Sequence, residues 1–167
     1  VVHLEKASRF TLADDTVKAV RQALRDVKGS LLVFLPGEGE IRRVEEQLLR
    51  ADLPDTVDVR PLYGAMALQA QDEAIRASPQ GRRKIVLATT IAETSLTIEG
   101  IEAVIDTGLK RVPRFDPAAG VTSLETVRVS QASAEQRKGR AGRLGPGRCY
   151  RLWPEAETRA LAAHDEP

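Results

Sequence analysis

Ser30-Leu-Leu-Val-Phe-Leu-Pro-Gly-Glu-Gly-Glu-Ile41 joins six uncharged residues to a turn and the start of a helix. The apolar run over 31–35 lacks the alternation of a half-buried strand, so it predicts a strand covered on both faces, the habit of parallel sheets. Pro36-Gly37-Glu38-Gly39 is a turn sequence. Beyond it Ile41, Val44, Leu48 and Leu49 recur at helical spacing and predict an apolar stripe. On the other side, Thr16 to Lys28 reads as a helix with Val17, Val20, Leu24 and Val27 on one face. Asp14 and Asp15 stand at its positive end, and Gly29 stops it.

Further along the chain, Val57–Tyr63 predicts a strand and Leu68–Ala77 a short helix. Lys84–Ala88 and Ala103–Asp106 predict two more buried strands, and Cys149–Trp153 one that closes the sheet. Strands alternating with helices argue an α/β fold, a parallel sheet with helices on both faces. Residues 109–129 break that rhythm. Lys110–Phe115 and Val121–Val129 read as extended arms around Asp116-Pro-Ala-Ala-Gly120, hence an inserted antiparallel β-hairpin. Glu155–Ala163 reads as a final helix.

The 167 residues fit one domain, and 42% apolar residues suffice for a core. No apolar run approaches the ~20 residues that span a bilayer. A net charge of +1 with 29% charged residues excludes an acidic disordered tail and a uniformly basic coat. Cys149, the only cysteine, cannot form an internal disulfide or a cysteine zinc site, which points to a reducing compartment, the cytoplasm. Cys149 reads as a buried strand residue, His3 and His164 as solvated histidines, and Trp153 as an anchor for the last helix. A chain that starts at Val1 and stops at Pro167 reads as a piece of a longer polypeptide.

The near-neutral total hides a cluster. Arg137, Lys138, Arg140, Arg143, Arg148 and Arg151 face Glu135 alone within 134–151. Such a focus in a balanced chain suggests one polyanion site. Its centre is Gln136-Arg-Lys-Gly-Arg-Ala-Gly-Arg143, whose glycines allow close backbone approach and whose arginines, three apart, would neighbour one another on a helical turn. Arginine forks match phosphate oxygens. Gln136 has a second reading: Ser133-Ala-Glu-Gln136 is a capping-box pattern. A hydroxyl-rich loop, Ala88-Thr-Thr-Ile-Ala-Glu-Thr-Ser-Leu-Thr-Ile98, follows a buried strand directly, where α/β folds place ligands. In Leu31–Ile41 a strand, a glycine turn and a helix start can offer amides to a phosphate.

These three segments, in this order, resemble motifs IV, V and VI of DEAH-box helicases of superfamily 2. Phe34–Ile41 and Arg111-Val-Pro-Arg-Phe-Asp-Pro-Ala-Ala-Gly-Val-Thr-Ser-Leu124 resemble the bacterial HrpB-type subfamily most closely. The likeness runs from about Thr11 to Trp153. It implies a RecA-like lobe over 1–154 with the hairpin at about 109–129, and 155–167 as the start of a connection to further C-terminal domains. It implies ATP in a cleft shared with a first RecA-like lobe of the same chain. Gln136, Arg140 and Arg143 would reach that nucleotide, with Arg143 as the arginine finger. Ser95, Thr97 and Glu99 would stand near the phosphates, the Mg2+-bound waters and the attacking water. Gly37, Thr89 and Thr90 would face an RNA backbone, with other single-stranded nucleic acid as the alternative partner. Arg111, Arg114 and Phe115 would be the hairpin's contacts, and no membrane partner is implied.

This chain departs from the family pattern at Thr90 (usually Asn), Pro36 (usually Thr) and Glu99 (usually Asp). It also has no aromatic residue within 70–80, where Ile75 aligns best with the family's base-stacking Phe. No Gly-Lys-Ser or Gly-Lys-Thr triphosphate loop is present. Asp72-Glu-Ala-Ile75 lacks the His of a DEAH box and sits on an expected helix, so it reads as coincidence. The resemblance therefore places Mg2+ and most of the ATP contacts in the first lobe, and implies that this segment alone is inactive. A non-catalytic binding module is the competing reading. A phosphatase-like enzyme lacks a nucleophile or ligand cluster.

Overall fold

The computed structural model describes residues 1–4, 11–64, 66, 68–142 and 147–165. In chain order the elements are β1 (Val2–His3), α1 (Leu12–Asp26), β2 (Ser30–Phe34), α2 (Glu38–Arg50), β3 (Val57–Leu62), α3 (Leu68–Ile75) and β4 (Arg83–Ala88). There follow α4 (Ile91–Thr94), β5 (Ile101–Asp106), β6 (Leu109–Asp116), β7 (Val121–Arg128), α5 (Gln131–Lys138), β8 (Arg148–Arg151) and α6 (Glu155–Thr158). Six strands form one parallel sheet in the order β1-β8-β5-β2-β4-β3, and β6 and β7 form a separate antiparallel hairpin. This is the parallel α/β arrangement that the alternation of elements predicts, with the separate hairpin expected over 109–129, and it suits the RecA-like lobe that the resemblance implies.

Strand β2 sits between β5 and β4 and is buried along its whole length. Its side chains alternate between faces. Leu31, Val33 and Leu35 join Ala19, Val20, Ile41 and Val44 in a core under α1 and α2. Leu32 and Phe34 join Ala74 and Ala92 in a second core under α3 and α4. Two apolar layers explain why residues 31–35 carry no polar side chain. The edge strand β3 holds Pro61, which an interior strand could not accommodate without losing a ladder hydrogen bond.

Several expectations need correction. Helix α1 begins at Leu12, so Asp14 and Asp15 lie in its first turn. On α2, Leu49 is 69% exposed, because it falls one residue beyond the Ile41–Val44–Leu48 stripe, about 100° round the helix. Residues 91–94 of the hydroxyl-rich loop form the short helix α4. The final helix stops at Thr158. His3 is half-buried: its Nδ1 lies 3.0 Å from the Trp153 carbonyl oxygen, on the two-residue strand β1, which was too short to read in the sequence.

Trp153 anchors the end of the chain, donating from Nε1 to Thr158 Oγ1 at 2.9 Å and packing with Val129, Ala134 and Leu161. It also dictates Gly108, where φ is +77° and an added Cβ would come within 2.8 Å of the indole ring. The tail then lies on α5. Gln131 N donates to Ala162 O and Ala132 N to Ala163 O, supplying acceptors to two otherwise orphaned amides of the helix start. A two-stranded hairpin is marginal by itself. This one is pinned at its base by ion pairs of Lys110 with Asp165, Arg111 with Glu40 and Arg128 with Glu157, and by Val129 N donating to Gly108 O.

Lys84 is 2% exposed at the start of β4, with its ammonium donating to the Arg76 carbonyl. Burial pushes its pKa down to about 8. Between that value and the ordinary lysine range the unfolded chain binds more protons, so this group's contribution to stability rises with pH across that window and is lost as pH falls through about 8. Thermal unfolding should therefore show a smaller gain between pH 7.5 and 9.5 for Lys84→Met than for the parent chain. Parallel pH profiles would remove this account.

Candidate functional site

The carboxyl ends of the strands and the α4–α5 side of the sheet carry the singled-out residues as two groups. Gly37 is the buried N-cap of α2, directly after β2 and Leu35-Pro36. Thr89 and Thr90 follow β4, the neighbour of β2, with Thr89 half-buried and Thr90 exposed at the N-cap of α4. Gly37, Thr89 and Thr90 thus share one edge of the sheet because parallel strands all end there, and the hairpin rises beside them after β5.

The hairpin contacts are not equivalent. Arg111 donates from Nη2 to Glu40 Oε2 at 2.7 Å, and its guanidinium lies so close over Gly37 that an added Cβ would stand 2.3 Å from Nη1. A side chain at position 37 would displace the Arg111 guanidinium from this seat. Arg114 pairs with Glu125 across the strands at 2.6 Å. Phe115 is 64% exposed and shares one face of the hairpin with Leu124, 68% exposed, since the register sets Phe115 opposite Thr122 and Pro113 opposite Leu124.

The second group lies along α4, α5 and the segments after them. Ser95 and Thr97 are exposed. Arg140 is half-buried in the turn after α5, its Nη1 3.4 Å from the Leu96 carbonyl, and lines a shallow groove with Thr97, Leu32, Ile98 and Ile101. Gln136 is exposed on α5. Glu99 is exposed too, but its carboxylate accepts from Ala77 N at 3.3 Å, at the far end of α3. Ile75, the expected stand-in for a stacking aromatic, is partly buried against the second core. Arg143 lies outside the described residues.

Two local expectations fail. The N-cap of α5 is Ser130, whose Oγ accepts from Ser133 N at 3.0 Å, so the capping box imagined at Ser133 does not form and Gln136 is not engaged there. The helix also ends at Lys138, with Gly139 as its C-cap, so Arg140 is presented by a turn rather than by a helical face. The glycines that made the motif readable are what stop the helix.

The basic cluster is largely neutralised from within. Arg151 pairs with Glu135 at 3.1 Å, Lys138 with Glu135 at 3.4 Å, and Arg148 with Asp26 at 3.8 Å. The Arg151 hydrogen bond holds the Glu135 carboxyl below its usual range. Arg140 is the one cation of the cluster without a carboxylate partner among the described residues.

Arg137, unremarked in the sequence except as one positive charge, is fully buried. Its Nε donates to Glu93 Oε1 at 2.7 Å, Nη1 to Asp106 Oδ1 at 2.8 Å and Nη2 to the Leu109 carbonyl at 3.2 Å. The guanidinium sits 4.7 Å over the Phe34 ring. Burial works against its charge, but Asp106 and Glu93 outweigh that and raise its pKa. Ser133 Oγ donates to Glu93 Oε1 at 2.6 Å. The available signal is the acid that closes the apolar run Ala103-Val-Ile105 at the end of β5: such a carboxylate needs a buried partner. Cys149 is buried as expected, and burial raises its thiol to about 12, which removes it as a nucleophile at neutral pH. Among the described residues no three His, Cys, Asp or Glu side chains converge to hold a metal ion, and no helix is long and apolar enough to cross a membrane.

Comparison with known proteins accords with this geometry. Residues 15–145 match the helicase conserved C-terminal domain. The chain is 55% identical over 155 residues to the ATP-dependent RNA helicase HrpB of Escherichia coli K12, covering 92% of this chain and 19% of that protein. It is 48% identical over 143 residues to a probable ATP-dependent RNA helicase, a DHX35 homologue, of Caenorhabditis elegans, covering 83% of this chain and 20% of that one. A crystal structure of the E. coli DExH-box NTPase HrpB superposes with a TM-score of 0.92 at 51% identity over 99% of this chain and 20% of its own. The chain thus spans about a fifth of the length of these relatives.

Proposed function

The chain belongs to the helicase conserved C-terminal domain family, in its DEAH-box branch, and from that premise we propose that it is the second motor lobe of a cytoplasmic ATP-dependent RNA helicase. Residues 1–154 form the lobe, and 155–167 begin its connection to further domains. ATP binds between this lobe and a first lobe that holds Mg2+. Gln136, Arg140 and Arg143 contact the nucleotide, Arg143 as the finger. Ser95 and Thr97, with Glu99 at their margin, line the phosphate side. Gly37, Thr89 and Thr90 hold the RNA backbone, and Arg111, Arg114 and Phe115 supply the hairpin's contacts. Hydrolysis then drives translocation along RNA or its unwinding.

The observation that carries this reading is the solitary charge of Arg140. Among the described residues Arg137, Lys138, Arg148 and Arg151 are spent on internal carboxylates, whereas Arg140 has no carboxylate partner and stands beside Thr97 with a long contact to a carbonyl. A half-buried guanidinium without a counter-ion is suited to an anion that arrives from outside. Such a group, aimed where charge develops in phosphoryl transfer, contributes about 10²–10³-fold to turnover.

The test is ATP turnover with and without poly(A) RNA in a chain carrying both lobes. Arg140→Ala should lower RNA-stimulated kcat by about 10²-fold or more, and the 167-residue chain alone should hydrolyse no ATP. Undiminished turnover in Arg140→Ala, or robust turnover by the single lobe, would overturn the assignment.

A further inference from the structure

Arg137 is fully buried, and its side chain touches four of the segments described above. Glu93 belongs to α4, between Thr90 and Ser95. Asp106 ends β5, and Leu109 begins the hairpin. Phe34 ends β2, three residues before Gly37. Arg137 itself lies between Gln136 and Arg140. One guanidinium therefore bridges the α4–α5 side and the strand-end edge.

The network is also incomplete. Asp106 Oδ1 accepts from both Arg137 Nη1 and Gly108 N, while Asp106 Oδ2 is buried with no hydrogen-bond partner among the described residues. An unfilled acceptor on a buried carboxylate is costly. The donor nearest in kind is Arg137 Nη2, which instead holds the neutral carbonyl of Leu109 at 3.2 Å. A guanidinium fork fits a carboxylate with two parallel bonds. Moving Nη2 from Leu109 O to Asp106 Oδ2 would keep the number of bonds to Arg137, fill the empty acceptor and free the first carbonyl of the hairpin. That is a two-arrangement element of the kind that can carry coupling between sites.

We propose that Arg137 is the positioning residue that couples the nucleotide-facing turn to the hairpin, by exchanging its Nη2 between the Leu109 carbonyl and Asp106 Oδ2. The inference rests on the motor-lobe reading. Movement of the turn that carries Arg140 shifts Arg137, because Arg140 N donates to Arg137 O at 3.1 Å. The hairpin base is held or released in response.

Arg137→Lys, in a chain carrying both lobes, keeps the charge beside Glu93, but a single ammonium cannot also serve Asp106 and Leu109 in fixed directions. RNA-free ATP turnover and KM for ATP should remain within about threefold of the parent, while stimulation by poly(A) RNA falls about tenfold, inside the usual span of coupling between sites. A purely structural role would lower both rates together, together with the melting temperature, and leave the stimulation ratio intact; that result overturns the proposal. Should the variant fail to fold, hydrogen exchange on the unaltered protein decides. A non-hydrolysable ATP analogue should change exchange at the amides of Leu109–Arg111 and Val127–Val129 about fivefold or more, and no change there overturns it. Loss of turnover in Arg140→Ala with an unaltered ratio in Arg137→Lys would leave the motor-lobe reading standing and remove this one.

Discussion

Arg143→Ala, in a chain that carries both lobes, is expected to lower kcat for ATP by about 10³–10⁵-fold, the scale on which an arginine finger acts. Gly139 ends α5, Arg140 N and Ala141 N donate back to Arg137 O and Lys138 O, and Gly142 N donates to Ile101 O at 3.2 Å. Gly142 takes φ +76°, a turn that a side chain would resist. The backbone up to Gly142 is thus tied to the start of β5, next to the groove where Arg140 and Thr97 stand. A finger works by meeting charge that exists only in the transition state, so its loss appears in kcat more than in KM. Arg143→Lys should recover little, since an ammonium cannot span two phosphate oxygens. RNA binding in the presence of a non-hydrolysable analogue should be nearly unchanged in both variants. Turnover of Arg143→Ala within tenfold of the parent would assign the finger elsewhere. Complete lack of turnover in the two-lobed parent itself would favour a binding module that has kept the fold.

Much of the architecture was legible because it is written in apolar spacing. The run at 31–35 announced burial on two faces, and β4 and β5 followed the same rule. The hairpin could be read from two arms and a turn. What could not be read depended on contacts between distant segments. Strand β1 is two residues long and exists because β8 lies beside it. The cap of α5 moved from Ser133 to Ser130 because Ser133 Oγ is drawn to Glu93, 40 residues earlier. The site shows the same division. The glycine and arginine spacing made Gln136, Arg140 and Arg143 conspicuous, but a count of charges made all six basic residues look alike. Partners assigned them different work: Glu135, Asp26, Glu93 and Asp106 take up four of the six, and no local pattern records those pairings.

The buried charges also predict the largest effect on stability. Arg137→Met replaces the guanidinium with an apolar chain and leaves Glu93 and Asp106, 11% and 0% exposed, without their shared counter-charge. Removing one member of a buried ion pair costs about 3–5 kcal/mol, because the remaining charge is left uncompensated. For a chain of this size that corresponds to a fall in melting temperature of roughly 10 °C. The loss should be non-additive. Adding Glu93→Gln to Arg137→Met removes one of the stranded charges while its amide can still accept from Ser133. The pair should therefore cost less than the sum of the single changes, by about 0.5–3 kcal/mol. Urea unfolding of the 167-residue chain measures all three. A loss below about 1 kcal/mol in Arg137→Met would mean that the triad is hydrated and worth no more than a surface pair. The triad also lies three residues from Arg140, which has no carboxylate partner among the described residues. The same carboxylates that fix Arg137 draw α4, β5 and the hairpin base to one point, and Arg140 is held at the surface by the backbone that Arg137 secures.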